Sequence, residues 1–170
     1  MNEPELTVQK SLTEPASRIN QNAIKAWRLS ALLFGSFVYV IPGLLYLIFT
    51  LDGDMSMLYP IISAPSAVII HCFFIFVLPK IRWKRWKYEV DDKGIDMQRG
   101  IIITKRTMVP INRIQHVDTR QGPIYRKYGL SSISLSTAAT THEIPALDEN
   151  TASELREIIS DLVRKVKEDV

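Results

Sequence analysis

Residues 55–90 read MSMLYPIISAPSAVIIHCFFIFVLPKIRWKRWKYEV. From Met55 to Pro79 there are 25 residues without Asp, Glu, Lys or Arg, and then five cations (Lys80, Arg82, Lys84, Arg85, Lys87) alternate with Trp83, Trp86 and Tyr88. Basic residues among aromatic ones suit a nucleic-acid grip, a calmodulin-type target helix or the edge of a membrane. The segment before them decides. Twenty-five uncharged residues exceed the roughly 20 that cross a ~30 Å hydrocarbon core as a helix.

A second such run lies upstream. LSALLFGSFVYVIPGLLYLIFTL, Leu29 to Leu51, holds 23 uncharged residues, and Asp52-Gly53-Asp54 is all that separates the two runs. We read a transmembrane helical hairpin with spans about 29–51 and 55–79 and a short acidic turn. A chain of 170 residues has too little remaining length to cover two such helices as soluble core. The first run begins too late and runs too long for a cleaved signal peptide.

Lys and Arg collect on the cytoplasmic side of membrane spans. Lys25 and Arg28 precede the first run and five cations follow the second, so both termini are expected in the cytoplasm. The expected membrane-interface residues are Trp27, Arg28, Lys80, Arg82, Trp83, Lys84, Arg85, Trp86 and Lys87. Their indoles would sit at headgroup depth and their cations would meet anionic lipid. Gly35, Ser36 and Gly43 would permit close helix approach, and His71 is the one imidazole inside the runs.

Net charge of +3 raises the question of nucleic acid. Its distribution argues otherwise: Tyr88 to Val170 carries twelve Lys and Arg against thirteen Asp and Glu. We expect no nucleic-acid partner. The single Cys72 excludes an internal disulfide and reads as a small apolar filler.

After Lys87 the apolar period changes from helical to alternating. Tyr88 and Val90 lead into Asp91-Asp92-Lys93-Gly94, a hairpin turn with glycine where a positive φ is expected, and Ile95, Met97 and Arg99 follow. IIITKRTMVP (101–110) reads as a third strand and NRIQHVDTR (112–120) as a fourth. Gln121-Gly122-Pro123 breaks the pattern, and IYRKYG reads as a turn or short helix. SSISLST (131–137) alternates Ile133 and Leu135 with serines as a half-buried strand, and Thr141 to Pro145 is its mate.

Leu155, Ile158, Ile159, Leu162, Val163 and Val166 then recur at helical spacing, with Thr151 and Glu154 as a capping box. The expected parts are a flexible N-terminal tail (1–24), the hairpin with its basic-aromatic edge (25–87) and an antiparallel β domain closed by an amphipathic helix (88–170).

The order of Arg99-Gly100, Val109-Pro110, Arg113-Ile114-Gln115, Val117, Gln121-Gly122-Pro123, Arg126, Tyr128-Gly129-Leu130 and Thr137 resembles the bacterial pleckstrin-homology-like (bacterial PH) domain of the YdbS-like membrane protein family. The resemblance covers about residues 20–168. It implies an α+β fold: a transmembrane hairpin, then a PH-like sandwich or partly open barrel of two near-orthogonal antiparallel sheets capped by a C-terminal helix. It also implies a non-enzymatic family. Eukaryotic readers of phosphoinositides carry cations in the first hairpin loop, whereas Asp91-Asp92-Lys93-Gly94 is acidic and argues against headgroup capture there.

No nucleophile–base pair, metal-ligand spacing or phosphate loop is present in the sequence. His116 and His142 lack metal-ligand spacing, and His116 with Asp118 is too little for acid–base work. No enzyme activity, cofactor or metal is expected. Arg113, Arg120, Arg126 and Lys127 around the QGP turn form the candidate partner-binding surface. The expected role is a membrane-anchored binding or scaffold protein. Its partners would be the lipid bilayer and either further copies of itself or a second membrane protein carrying PH-like domains. The alternative is an accessory subunit of a larger transport or envelope-stress complex.

Overall fold

The computed structural model describes residues 15–51 and 58–168. The chain divides into two compact units: one holds residues up to Ala23 and from Arg82 onward, the other Ile24–Ile81.

The larger unit contains two antiparallel sheets. In the first, β1 (Ser17–Arg18), β2 (Lys87–Val90), β3 (Gly94–Arg99) and β4 (Lys105–Pro110) lie in sequence order. In the second, β5 (Ile114–Arg120), β6 (Leu130–Thr137) and β7 (Thr141–Asp148) do likewise. A short helix, Pro123–Lys127, links β5 to β6, and a 20-residue helix, Glu149–Glu168, ends the unit. The terminal helix packs on β5, β6, β7 and the 3-10 turn Ile111–Arg113. Ala152 and Ile159 on that helix are fully buried, as are Ile95, Leu130, Ile133, Leu135 and Ile144 of the sheets. Each large aliphatic side chain so buried contributes about 1.5–3 kcal/mol.

Several expectations are corrected. The tail expected over 1–24 is in part folded: Ser17 and Arg18 pair with Tyr88 and Lys87, and Ile19 is buried. The β unit therefore begins before Tyr88 in sequence and includes Trp83 and Trp86. The third strand starts at Lys105, not Ile101, because Gly100 at φ 131° turns the chain out of the ladder after the Arg99–Lys105 pair.

Gly94 is not at positive φ. Glycine is required there because a Cβ would lie 2.7 Å from the Val109 carbonyl oxygen. The turn before it is held by the Asp91 carboxylate, which accepts the N–H groups of Lys93 (3.0 Å) and Gly94 (2.9 Å). Strand β6 is buried on both faces rather than one. Ser134 sits between Asp118 and Glu143, and Ser132 opposite Arg120, so longer cross-strand neighbours shade the short hydroxyls. The terminal helix starts two residues before Thr151, with the Asp148 carboxylate accepting the Asn150 N–H at 3.3 Å.

The second unit is helical. Asn22–Gly35, a 3-10 turn at Ser36–Tyr39 and Val40–Leu51 follow one another, and Leu58–Phe76 and Leu78–Arg85 come after. The two runs meet in antiparallel register. The Arg28 guanidinium lies 5.6 Å from the Phe76 ring, His71 fills the space a Cβ of Gly35 would take, and the Tyr39 hydroxyl donates to the Ala67 carbonyl at 2.7 Å. His71 is thus a packing residue, its ring 5.2 Å from Tyr39 in an edge arrangement.

Among the described residues one helical stretch, Pro65–Arg85, is long and apolar enough to cross a bilayer. The 3-10 turn at Ser36–Tyr39 interrupts the first run, and the expected acidic turn at 52–54 lies outside the described residues. Cys72 is exposed on its helix rather than filling a core.

Candidate functional site

Around the β3–β4 loop the larger unit holds a cavity of about 510 Å³. Arg82, Arg99, Lys105 and Glu143 supply its charged wall; Trp86, Ile101, Tyr125 and Pro145 supply its apolar wall. Arg99 and Lys105 are direct partners at the end of the β3–β4 ladder. Two like charges in that position repel, and the loop Gly100–Thr104 leaves the sheet between them. The excess of cations is felt by His142, whose pKa is lowered by burial first and then by Arg99 and Lys105. Arg106, next along β4, is engaged elsewhere: its Nε donates to Asp96 at 2.7 Å.

At the tip of the loop Ile102 is 92% exposed and Ile103 is 82% exposed. The base of the loop is tied to the helix that ends at Arg85, whose Nη1 donates to the Thr104 hydroxyl at 3.4 Å. An apolar tip above a cationic cavity can hold an anionic, amphipathic ligand. Among the described residues no group of His, Cys, Asp and Glu converges as a metal site.

The expected interface residues separate into two sets. Lys80, Arg82, Lys84 and Arg85 are exposed on the helix Leu78–Arg85. Trp86 is buried at 4% exposure beside Tyr88 at 6%, and burial raises the Tyr88 pKa. Both rings are core, not membrane belt: strand β2 begins at Lys87 and draws them into the sheet packing. Trp83 is half-buried; its indole N–H donates to the Ile19 carbonyl at 3.0 Å and the Arg18 guanidinium lies 5.8 Å from its ring. Trp27 is buried and Lys87 half-buried, while Arg28 faces Phe76.

Arg113, Arg120, Arg126 and Lys127 are all exposed, but they do not form one patch. Arg113 precedes β5 and Arg120 ends it, seven residues or about 23 Å apart along the strand. Arg120 ends β5, and Arg126 and Lys127 end the short helix that follows the turn, which the Gln121 amide closes on the Leu130 carbonyl at 3.0 Å. Lys105, Tyr125 and the two exposed isoleucines carry no site assignment from sequence, and Arg99 enters there only as a strand and family-motif residue. Their signal is RGIIITKR (99–106), where three consecutive isoleucines after a glycine break the alternation a half-buried strand requires.

Comparison with known proteins agrees with this architecture. The family described as "Bacterial PH domain" matches residues 30–163. The chain is 38% identical to UPF0699 transmembrane protein YdbS of Bacillus subtilis (strain 168) over 159 residues, 92% of this chain and 98% of that one. It is 27% identical to UPF0699 transmembrane protein YdbT of the same organism over 104 residues, 60% of this chain and 21% of that one. No solved structure matches.

Proposed function

Because the chain belongs to the bacterial PH domain family, we propose that it is a membrane-anchored, non-enzymatic adaptor whose β unit works at the cytoplasmic face of the cell membrane. The observation that carries this reading is the apolar surface of the helical unit. Phe34 (66%), Leu51 (78%) and Ile69 (70%) stand exposed along both runs, and a soluble protein does not leave a continuous apolar surface in water. Lipid is the cover that fits. In this reading both helical runs cross the bilayer as a hairpin, the cations at Lys80–Arg85 hold the second exit inside, and both termini are cytoplasmic.

The adaptor role rests on what the β unit offers. Strand β5 is an edge of its sheet and largely exposed, and exposed Arg120, Arg126 and Lys127 stand at its end and on the short helix that follows. An edge strand accepts another strand and a basic cluster attracts an acidic one. The partner is a further copy or a second membrane protein with PH-like domains.

Light scattering of the protein in mild detergent, with affinity capture from membranes, tests the proposal. Defined oligomers or co-purification with one multi-span membrane protein are expected; a lone monomer under both conditions would refute the adaptor role. Protease added outside intact cells should leave the C-terminal unit uncut, and cleavage there would reverse the orientation.

A further inference from the structure

We propose that the β3–β4 loop is a second membrane contact: Ile102 and Ile103 insert into the interface of an anionic bilayer while Arg99 and Lys105 bind its headgroup phosphates.

Three independent features converge on lipid. The first is apolar exposure at a loop tip, 92% for Ile102 and 82% for Ile103, where neighbouring elements leave both side chains bare. The second is charge. Arg99 and Lys105 face each other across the last rung of the ladder, and an anion bound between them relieves a repulsion that the fold itself creates. Glu143 borders the same cavity and repels phosphate, which assigns the headgroup to the loop side where the two cations stand.

The third is position. Arg85 is the last residue of the helical stretch Pro65–Arg85, and its guanidinium holds Thr104 at 3.4 Å. The base of the loop therefore stands beside the cation that closes the helix Leu78–Arg85. An apolar tip ringed by cations at headgroup depth is how interfacial segments bind anionic membranes. The acidic Asp91–Gly94 turn plays no part. Gly100, at φ 131°, aims the loop, because a side chain there would overlap the Ile103 carbonyl oxygen.

The inference rests on the anchored reading, so the test contains a reference for that reading. The full chain is reconstituted in phosphatidylcholine vesicles with brominated acyl chains, with or without phosphatidylglycerol. An environment-sensitive fluorophore is placed either on native Cys72, exposed on the apolar helix, or on Ile102→Cys in a Cys72→Ser background. In phosphatidylglycerol vesicles the label at 102 is expected to shift to the blue and be quenched, and to lose most of that quenching in neutral vesicles, in high salt or in Arg99→Gln/Lys105→Gln.

Quenching at Cys72 without quenching at 102 would overturn the loop insertion and leave the anchor standing. Absence of quenching at both would remove both readings. Equal quenching at 102 with and without the two cations would overturn the headgroup assignment. A blue shift at 102 without quenching would mean that protein, not lipid, covers the loop, and would also overturn the proposal.

Discussion

The backbone N–H of Asn20 donates to the carbonyl of Ala146 at 3.0 Å, and Ala146 is the one non-glycine among the described residues with positive φ, 53°. Ala146 lies where the β6–β7 register shifts, and the shift turns its carbonyl toward the N-terminal segment. Asn20 then starts the first helix: its Oδ1 accepts the Asn22 N–H at 2.8 Å and its carbonyl the Ala23 N–H at 3.1 Å. One irregular strand position thus anchors the chain just before it enters the helical unit. A β-branched side chain is costly in this conformation and has no room at a site with 0% exposure. Ala146→Val should destabilise the β unit by about 2–4 kcal/mol in denaturant unfolding, combining backbone strain with overpacking. Ala146→Gly should stay within about 1 kcal/mol of wild type, since it removes strain but adds chain entropy.

Trp83 holds the same segment from the other side through its indole N–H to Ile19. Trp83→Phe keeps an aromatic ring but loses this hydrogen bond and part of the indole's packing area, for a cost of about 1–2 kcal/mol. Hydrogen exchange should accelerate at Ser17 and Arg18 while the β6 amides stay protected, because β1 is a two-residue edge strand paired with β2 alone in its sheet and Trp83 adds a contact beside it. Unchanged exchange at β1 would remove Trp83 as its clamp.

Gly100→Ala should cost about 2 kcal/mol or more, since no L side chain is at ease at φ 131° and the methyl would overlap the Ile103 carbonyl oxygen. Thermal unfolding in detergent would read the loss. Gly122→Ala serves as control: nothing lies within 4 Å of its Cβ position and its backbone is extended, so stability should be nearly unchanged.

In the helical unit, Gly35→Leu should separate the two runs, because His71 already occupies the space beside Gly35. Cysteine crosslinking between positions 39 and 67, whose residues are joined by the Tyr39 hydrogen bond, should fall sharply in Gly35→Leu and recover in part when His71→Ala is added. Tyr39→Phe alone should cost only about 0.5–1.5 kcal/mol, the usual net size of one hydrogen bond.

His142 should titrate below the ordinary imidazole value of 6.5, since burial and the charges of Arg99 and Lys105 all disfavour its proton. The folded protein therefore binds that proton less readily than the unfolded chain. Stability falls as the pH drops below about 6.5, and the loss is complete below the folded-state midpoint. NMR titration of the His142 ring reads the midpoint directly; a value at or above 6.5 would contradict it. Arg99→Gln/Lys105→Gln should raise it.

The two apolar runs, most of the strands and the amphipathic C-terminal helix are legible as elements, though not to the residue at their ends, because length and periodicity are local properties of a chain. The family is legible through its ordered motifs, while IYRKYG reads equally as a turn or the short helix it forms. The site is not legible. The pairing of Ser17 and Arg18 with β2 joins residues about seventy positions apart, and no local pattern encodes a contact of that range.

Trp86 and Tyr88 look from sequence like a membrane belt, yet an aromatic beside cations is equally a core residue once a strand turns it inward. The exposed Ile102 and Ile103 look like strand core until Gly100 bends the backbone away. Composition set which segments seek an apolar surrounding. Only the tertiary fold decided which of those side chains found it within the protein and which were left facing outward, because that depends on distant backbone partners and on one glycine's positive φ.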